Sequence, residues 1–158
     1  MSDHYRASSS PDFCSSRLLK EATHGERKAN ESMVFDPHRH VAERSTPGGG
    51  TSEIQIAGCA RDALTFLYFT RREMSQGRVP PAEGVFLGAR YQVRLEYTGP
   101  QTITVSGKKA EGDRVVVHLK GPASEATAEV FFARDPARTP LLIRAPFSMG
   151  TFAMELVR

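Results

Sequence analysis

Three residues whose side chains commonly bind metals lie at alternate positions early in the chain: Asp36, His38 and His40. On an extended strand, alternate residues share one face, where a carboxylate and two imidazoles could bind a divalent cation. Pro37 interrupts the segment, however, and such a polar, proline-containing stretch is typical of a turn. We therefore expect a solvated turn here, and we predict no bound metal and no other cofactor.

His118 lies inside a predicted strand, where its position alternates with the apolar residues Val117 and Leu119. This places it on the less apolar face, together with Lys120, and favours a surface histidine over a catalytic one. The chain has no Gly-x-Ser-x-Gly elbow, and its Gly48–Gly50 run lacks the Lys-Ser/Thr of a phosphate-binding loop. We predict no catalytic residues, and hence that the protein is not an enzyme.

The two cysteines, Cys14 and Cys59, are too far apart to form a Cys-x-x-Cys motif, so the thiols alone do not indicate zinc. Two alternatives remain open for them: two reduced, buried thiols, or one disulfide, which requires an oxidising compartment. Cys59 also directly precedes a predicted helix, whose N-terminus would lower the pKa of its thiol. A thiol-dependent enzyme or hydrolase using Cys59 is therefore the enzymatic alternative.

The elements that must position these residues belong to a chain of 158 residues, a length typical of one domain, with 39% hydrophobic and 25% charged residues. We predict a single β-rich domain over 1–158. The net charge of +3 is scattered rather than clustered, which argues against a nucleic-acid partner. No apolar run is long enough for a transmembrane segment, and the polar first residues carry no signal peptide in the chain as given.

One helix is indicated by apolar residues at helical spacing, and we predict it from Ala60 to about Glu73, with Leu64 and Leu67 in the core. Asp62 suits the positive end of the helix dipole, and Arg71 suits the negative end, so both are predicted to have structural roles. Further apolar residues widen the apolar face until the helix should be buried nearly all round.

The aromatic residues Phe66, Tyr68 and Phe69 of this helix allow two interpretations. They could simply pack in the core. They could also form the wall of an apolar ligand groove between the helix and a sheet.

Alternating residues and turn signals predict strands over most of the remaining chain: 16–23, 31–35, 39–44, 90–98, 101–106, 114–120, 127–133, 141–145 and 151–157. Hairpin-length connections indicate antiparallel pairing, and a sheet of this many strands must curl or close. The predicted fold is therefore mainly β: an antiparallel curved sheet or half-barrel with one principal buried helix.

The stretch Cys-Ala-Arg-Asp-Ala-Leu-Thr-Phe-Leu-Tyr-Phe-Thr-Arg at 59–71 resembles the helix signature of the domain of unknown function 3108 family. The turn at 25–28 with Val-Phe-Asp at 34–36, the segment 139–144 and the ending at 150–156 are similar to the same family. The resemblance implies an exported bacterial protein, distantly similar to periplasmic lipoprotein carriers. No catalytic residue comes with the family.

The resemblance also implies a periplasmic or cell-envelope location, and a chain that lacks some N-terminal strands of other members. The expected function is that of a non-catalytic envelope protein that binds an apolar or lipid-like ligand or an envelope partner; a structural assembly module is a further alternative. In an exported protein, Cys14 and Cys59 are expected to pair if their geometry allows.

Overall fold

The fold is mainly β. The computed structural model describes residues 2–147 and 150–155, and strands make up 64% of the structure. Typical globular domains contain about 20–25% strand, so the predicted fold class is confirmed. A single helix accompanies the strands in the described part of the chain.

The elements follow one another along the chain with short connections. Their bounds are β1 Ser2–Ser9, β2 Ser15–His24, β3 Arg27–Asp36, β4 Val41–Thr46, β5 Gly50–Gln55, β6 Arg61–Asp62, α1 Ala63–Ser75, β7 Glu83–Phe86, β8 Arg90–Val105, β9 Lys108–Lys120, β10 Glu125–Ala133, β11 Pro140–Phe147 and β12 Gly150–Glu155. They fall into two compact units, with the boundary between Leu67 and Tyr68.

The first unit contains a five-stranded antiparallel meander in the order β1-β2-β3-β4-β5. Each strand pairs with the next along the chain, so that Leu18 lies opposite Met33 and Phe35 opposite Ala42. Met33, Phe35 and Ala42 are buried, and they supply much of this unit's apolar interior. Alternate residues of β3 thus face the interior, as the period of a strand requires.

The second unit contains six consecutive strands of a curled, half-barrel sheet, in the order β12-β11-β10-β9-β8-β7. The pairing is antiparallel throughout, with a register shift between Tyr97 and Gly99 in β8. One cluster of its interior consists of Ile103, Phe131 and Leu142, none of which is more than 5% exposed.

The helix begins three residues later than predicted, because Asp62 caps it from outside rather than lying in its first turn. Its fully buried positions include Phe66, Thr70 and Met74, which are spaced by four residues. Leu64 and Leu67, predicted as core, are only half-buried, and Tyr68 is 53% exposed. The helix is thus buried along one stripe and not all round.

Sequence reasoning missed β1, β5, β6 and β7, and it divided the longest hairpin wrongly. A turn was expected at 107–112, but only Gly107 of these residues, together with Ser106, is turn, and 108–112 is strand. The expected break at Gly99-Pro100 is also strand. Pro100 fits in β8 because it lies just past the register shift, where β7 no longer pairs. The predicted strand at 151–157 extends past Glu155 into residues outside the described ones.

None of the helices in the described ranges is long and apolar enough to cross a membrane.

Candidate functional site

A two-rung grid of polar side chains lies on one face of the second unit's sheet. In the first rung, Lys120 of β9 lies between Gln92 of β8 and Glu125 of β10. In the second rung, His118 lies between Arg94 and Thr127. Directly opposed residues and residues two apart along a strand project to the same face. Three neighbouring strands therefore present all of the side chains named here together.

These side chains line an open groove of about 730 Å³. Ala82, Leu119, Ala126 and Pro146 complete its lining. The volume lies within the range of small-molecule sites, which is roughly 300–1,000 Å³. As in other such sites, apolar atoms make up the larger part of the lining surface, but six of the ten lining residues carry a charged, imidazole, amide or hydroxyl group.

Ion pairs across and along the strands hold the charged groups of the groove in place. His118 Nε2 lies 3.0 Å from a carboxylate oxygen of Glu96, and Arg94 Nη1 lies 3.8 Å from the same oxygen. Lys120 Nζ lies 3.6 Å from Glu125 Oε1. All of these pairs are at least one-third exposed, so each contributes little to stability.

Two permanent cations, Arg94 and Lys120, and one carboxylate, Glu125, lie in the lining of the groove, and a second carboxylate, Glu96, lies next to it, paired with Arg94 and His118. Gln92 and Thr127 add neutral hydrogen-bonding groups between them. This chemistry suits a polar ligand that carries a negative charge. An acyl chain laid across the charged groups would remove their hydration without replacing it.

The predicted turn at Asp36, His38 and His40 is confirmed. Asp36 Oδ1 accepts hydrogen bonds from the backbone N–H groups of His38 and Arg39, both at 3.0 Å. The Arg39 N–H is the main cause of a lowered pKa at Asp36. The carboxylate thus caps its own turn, and the described residues contain no group of three or more side chains suited to a metal.

Cys14 and Cys59 form a disulfide, with Cα atoms 4.8 Å apart. This distance lies within the range of about 4.4–6.8 Å that the bond requires. The sequence left open two reduced thiols or one disulfide, and the structure has the disulfide. A disulfide-bonded Cys59 carries no thiolate, so it is not a nucleophile in this state.

Asp62 is fully buried beside this disulfide in the chain and caps the helix. Its Oδ1 accepts hydrogen bonds from the N–H groups of Leu64 and Thr65, at 2.9 and 3.1 Å. Its Oδ2 accepts from the hydroxyls of Ser15 and Thr65, at 2.6 and 2.7 Å. The Asp62 N–H donates in return to Ser15 Oγ. Asp62 therefore has the structural role of an N-cap.

Arg71 lies in the second half of the helix, where its Nε donates to the carbonyl of Ala137 at 3.1 Å. Its guanidinium carbon also lies 4.8 Å from the centre of the Tyr68 ring. The predicted contact with a carbonyl is thus present, although that carbonyl belongs to the loop between β10 and β11 and not to the helix. Arg71 and Asp62 do not converge on a common pocket.

The aromatic residues of the predicted ligand groove lie in three different environments. Phe66 is buried, Phe69 is half-buried, and Tyr68 is exposed. Arg71 stacks on Tyr68, and Arg72 stacks on Phe69 at 5.2 Å. Successive helix residues point about 100° apart, so Phe66 and Phe69, three apart, lie on one side of the helix, whereas Tyr68 points away from them and is exposed. The three residues therefore do not form one continuous wall.

Sequence reasoning placed His118 and Lys120 on the less apolar face of their strand, and the grid confirms that placement. It missed Gln92, Arg94, Glu125 and Thr127 as neighbours of His118. The alternation of polar residues at 90–96 and 114–120 was the available signal. Alternation gives the face of each strand, but the register that aligns the rungs depends on the hairpin turns.

Comparison with known proteins gives a family but no characterised relative. No curated protein and no solved structure matches the chain. One family model, described as protein of unknown function (DUF3108), matches residues 1–157, nearly the whole chain. The chain therefore belongs to the DUF3108 family, the family that its helix signature and ending resemble.

Proposed function

We propose that the protein is a non-catalytic cell-envelope protein whose polar groove binds the anionic headgroup of an envelope lipid. The observation that carries the proposal is the two-rung grid, in which Arg94, His118 and Lys120 present their donor groups together in one open groove. A phosphate or carboxylate headgroup would accept charge-assisted hydrogen bonds from Arg94 and Lys120. The groove is open, so the rest of the lipid need not enter it.

The cysteine chemistry supports both the location and the absence of thiol catalysis. Disulfides persist mainly in oxidising compartments such as the bacterial periplasm, and Cys14 and Cys59 are bonded to each other. The best enzymatic candidate from the sequence, Cys59, is occupied by this bond. The resemblance to exported proteins favours the same location.

The charged and hydrogen-bonding side chains of the groove indicate which part of a lipid would bind there. The sequence suggested an apolar or lipid-like ligand, held by Phe66, Tyr68 and Phe69. Tyr68 lies on a different face of the helix from Phe66 and Phe69, and the large groove of the second unit contains charged and hydrogen-bonding side chains. We therefore propose that a lipid is bound by its headgroup and not by its acyl chains.

Vesicle binding tests the proposal directly. Vesicles of phosphatidylcholine alone are compared with vesicles of equal parts phosphatidylcholine and phosphatidylglycerol, with co-sedimentation as the measurement. The protein should bind only the anionic vesicles. Arg94→Gln/Lys120→Gln should weaken this binding by about 2 kcal/mol, or about thirtyfold in Kd, because each cation near an anionic surface contributes about 1 kcal/mol.

A matched control removes the same number of charges from the first unit. Arg17→Gln/Lys28→Gln alters two exposed cations outside the groove and should retain the affinity for anionic vesicles. Equal losses in both double variants would mean that net charge alone drives binding, and would contradict the proposal. Binding to a soluble acidic polypeptide but not to vesicles would replace the lipid by a protein partner.

A further inference from the structure

A second cleft lies on the opposite face of the sheet from the groove. It has a volume of about 230 Å³ and is lined by Met74, Gly77, Arg78, Val79, Tyr97, Asp113 and Arg138. Tyr97 and Asp113 lie on the face of β8 and β9 that the grid residues do not use, because their positions differ by an odd number from Arg94 and His118. Two arginines therefore meet in one small cleft, on a site separate from the groove.

Arg138 is held at the cleft by a buried carboxylate and by an unusual backbone conformation. Its Nη1 donates to Asp113 Oδ2, and the Asp113 side chain is only 5% exposed. Its φ angle is +48°, a left-handed value that is uncommon for a residue with a side chain. Such conformations cost free energy and occur frequently at ligand-binding positions.

The loop around Arg138 is fixed by several independent contacts. Asp135 accepts from the N–H of Thr139 at 3.2 Å, which is the main cause of a lowered pKa at Asp135. Arg71 donates to the carbonyl of Ala137, and the Ala133 N–H donates to the carbonyl of Thr139 at 2.7 Å. The guanidinium of Arg138 is thus presented by a rigid loop.

Arg78 is fixed on the other side of the cleft, by the end of the helix. Its N–H donates to the carbonyl of Glu73, and the Gly77 N–H donates to that of Met74, which is the pattern of a Schellman motif. Gly77 has a φ of +75°, as this motif requires. The Arg78 side chain donates from Nε and Nη2 to both carboxylate oxygens of Glu73.

Each of these two arginines has at least one guanidinium nitrogen that donates no hydrogen bond to a described residue. Nη1 of Arg78, and Nε and Nη2 of Arg138, have no hydrogen bond to any described residue. Tyr97 donates its hydroxyl proton to Asp113 at 3.1 Å. Burial is the main cause of a raised pKa at Tyr97. With Arg134 3.6 Å from Asp113 and Arg72 3.5 Å from Glu73, four guanidinium groups contact these two carboxylates.

We propose that this cleft binds a small phosphate- or carboxylate-bearing molecule between Arg78 and Arg138. Nε and Nη2 of Arg138 form a fork that matches the geometry of both anions, Nη1 of Arg78 adds a further donor, and Asp113 and Glu73 hold the two guanidinium groups in place before the ligand arrives. Met74 and Val79 provide an apolar wall for the uncharged part of the ligand. The site is independent of the headgroup-binding function proposed above.

The test is titration of the intact protein with inorganic phosphate and with acetate, followed by calorimetry and by NMR of the arginine side chains. At least one of the two anions should bind with shifts at Arg78 and Arg138. Arg78→Gln should raise the Kd of the bound anion about tenfold, the effect expected for loss of a charge-assisted hydrogen bond. The Arg78 side chain is 58% exposed, so this variant should fold normally.

Arg138→Lys is the second variant, because it retains the charge beside Asp113 but loses the fork. Arg138→Lys should also weaken binding of the anion. Arg94→Gln/Lys120→Gln, in the groove, should leave anion binding here unchanged, and Arg78→Gln should leave vesicle binding unchanged. Failure of both anions to bind overturns the proposal, and so does binding that neither Arg78→Gln nor Arg138→Lys weakens.

Discussion

Asp62 shows how one buried carboxylate can organise a local structure. It is fully buried, and it accepts hydrogen bonds from two backbone N–H groups and two hydroxyls. The two N–H groups lie in the first turn of the helix, where such donors would otherwise be unpaired. One of the hydroxyls belongs to Ser15, which lies in a strand 47 residues away in sequence. Asp62 therefore ends β6, begins the helix and ties the helix start to β2.

Asp62→Ala should lower the free energy of unfolding by about 2–4 kcal/mol. The loss combines that of an N-cap, about 0.5–2 kcal/mol, with the cost of buried donors left unpaired, about 1–3 kcal/mol. Asp62→Asn keeps an acceptor for the helix N–H groups and should lose less than half as much. Urea denaturation of the three proteins measures the difference; equal losses in both variants would show that capping is not the role of Asp62.

The residue type and position of Asp62 could be interpreted from the sequence, because acidic residues favour helix starts. Its bond to Ser15 could not, since nothing local to either residue indicates that they meet. Cys14 and Cys59 illustrate the same limit. Their identity permitted a bond, but only the folded chain brings their Cα atoms to 4.8 Å.

The hairpin between β8 and β9 is specified by a two-residue turn. Ser106 and Gly107 have φ angles of +48° and +74°, the left-handed pair that a type I′ turn requires. This turn sets the register in which Val105 lies opposite Lys108, and the register in turn aligns the rungs of the groove. The sequence predicted a turn here but made it too long. The residues at 108–112 are mostly polar or glycine, which is typical of a turn, although they form the first part of β9.

Gly107→Ala should lower the free energy of unfolding by about 1 kcal/mol, because a Cβ penalises the left-handed conformation. Ser106→Asn is the matched variant and should be neutral or stabilising, since Asn-Gly is favoured in this turn. Thermal denaturation of both measures the effect. A Gly107→Ala protein as stable as the wild type would contradict the turn geometry.

The end of the helix is stabilised by charge in a pH-dependent way. Hydrogen bonds from Arg78 are the main cause of a pKa of Glu73 below its ordinary value of 4.5. A lowered carboxyl pKa stabilises the fold above pH 4.5, and this contribution is lost as the pH falls through the lowered value. The stability gained from the pair is therefore present at pH 7 and absent in strong acid.

Arg78→Gln should raise the pKa of Glu73 towards 4.5, as measured by carboxyl ¹³C chemical shift. It should also destabilise the protein more at pH 7 than at a pH below the lowered value. An unchanged Glu73 titration, or a loss of stability that is independent of pH, would argue against this pair.

Strands that lack alternating apolar residues were the elements that the sequence did not predict. β1, Ser-Asp-His-Tyr-Arg-Ala-Ser-Ser, lies at the edge of its sheet, and every residue whose side chain is described there is exposed except Ala7. Its position is determined by pairing with β2, which sequence patterns do not reveal. The half-barrel and its helix were predictable because their apolar residues follow the periods of strand and helix.

At the scale of the molecule, the disulfide is the one covalent link between distant parts of the described chain. It closes a loop with a sequence separation of 45 residues within the first unit. In the chain-entropy model, a loop of this size stabilises the fold by about 4 kcal/mol, because it restricts the unfolded chain.

Cys14→Ala/Cys59→Ala should therefore lower the free energy of unfolding by about 4 kcal/mol. Denaturation of the wild type with and without reductant should show a similar loss, while the double variant should not respond to reductant. A wild-type protein that is as stable with reductant as without it would contradict a structural disulfide.

The central claim is that the grid of Arg94, His118 and Lys120 is where the protein meets an anionic lipid surface. Amide NMR signals can be recorded on vesicles of phosphatidylcholine and phosphatidylglycerol that contain a lipid with a paramagnetic headgroup. The account predicts the strongest broadening at 92–94, 118–120 and 125–127. Broadening centred on the five-stranded sheet, or spread evenly over both units, would contradict it.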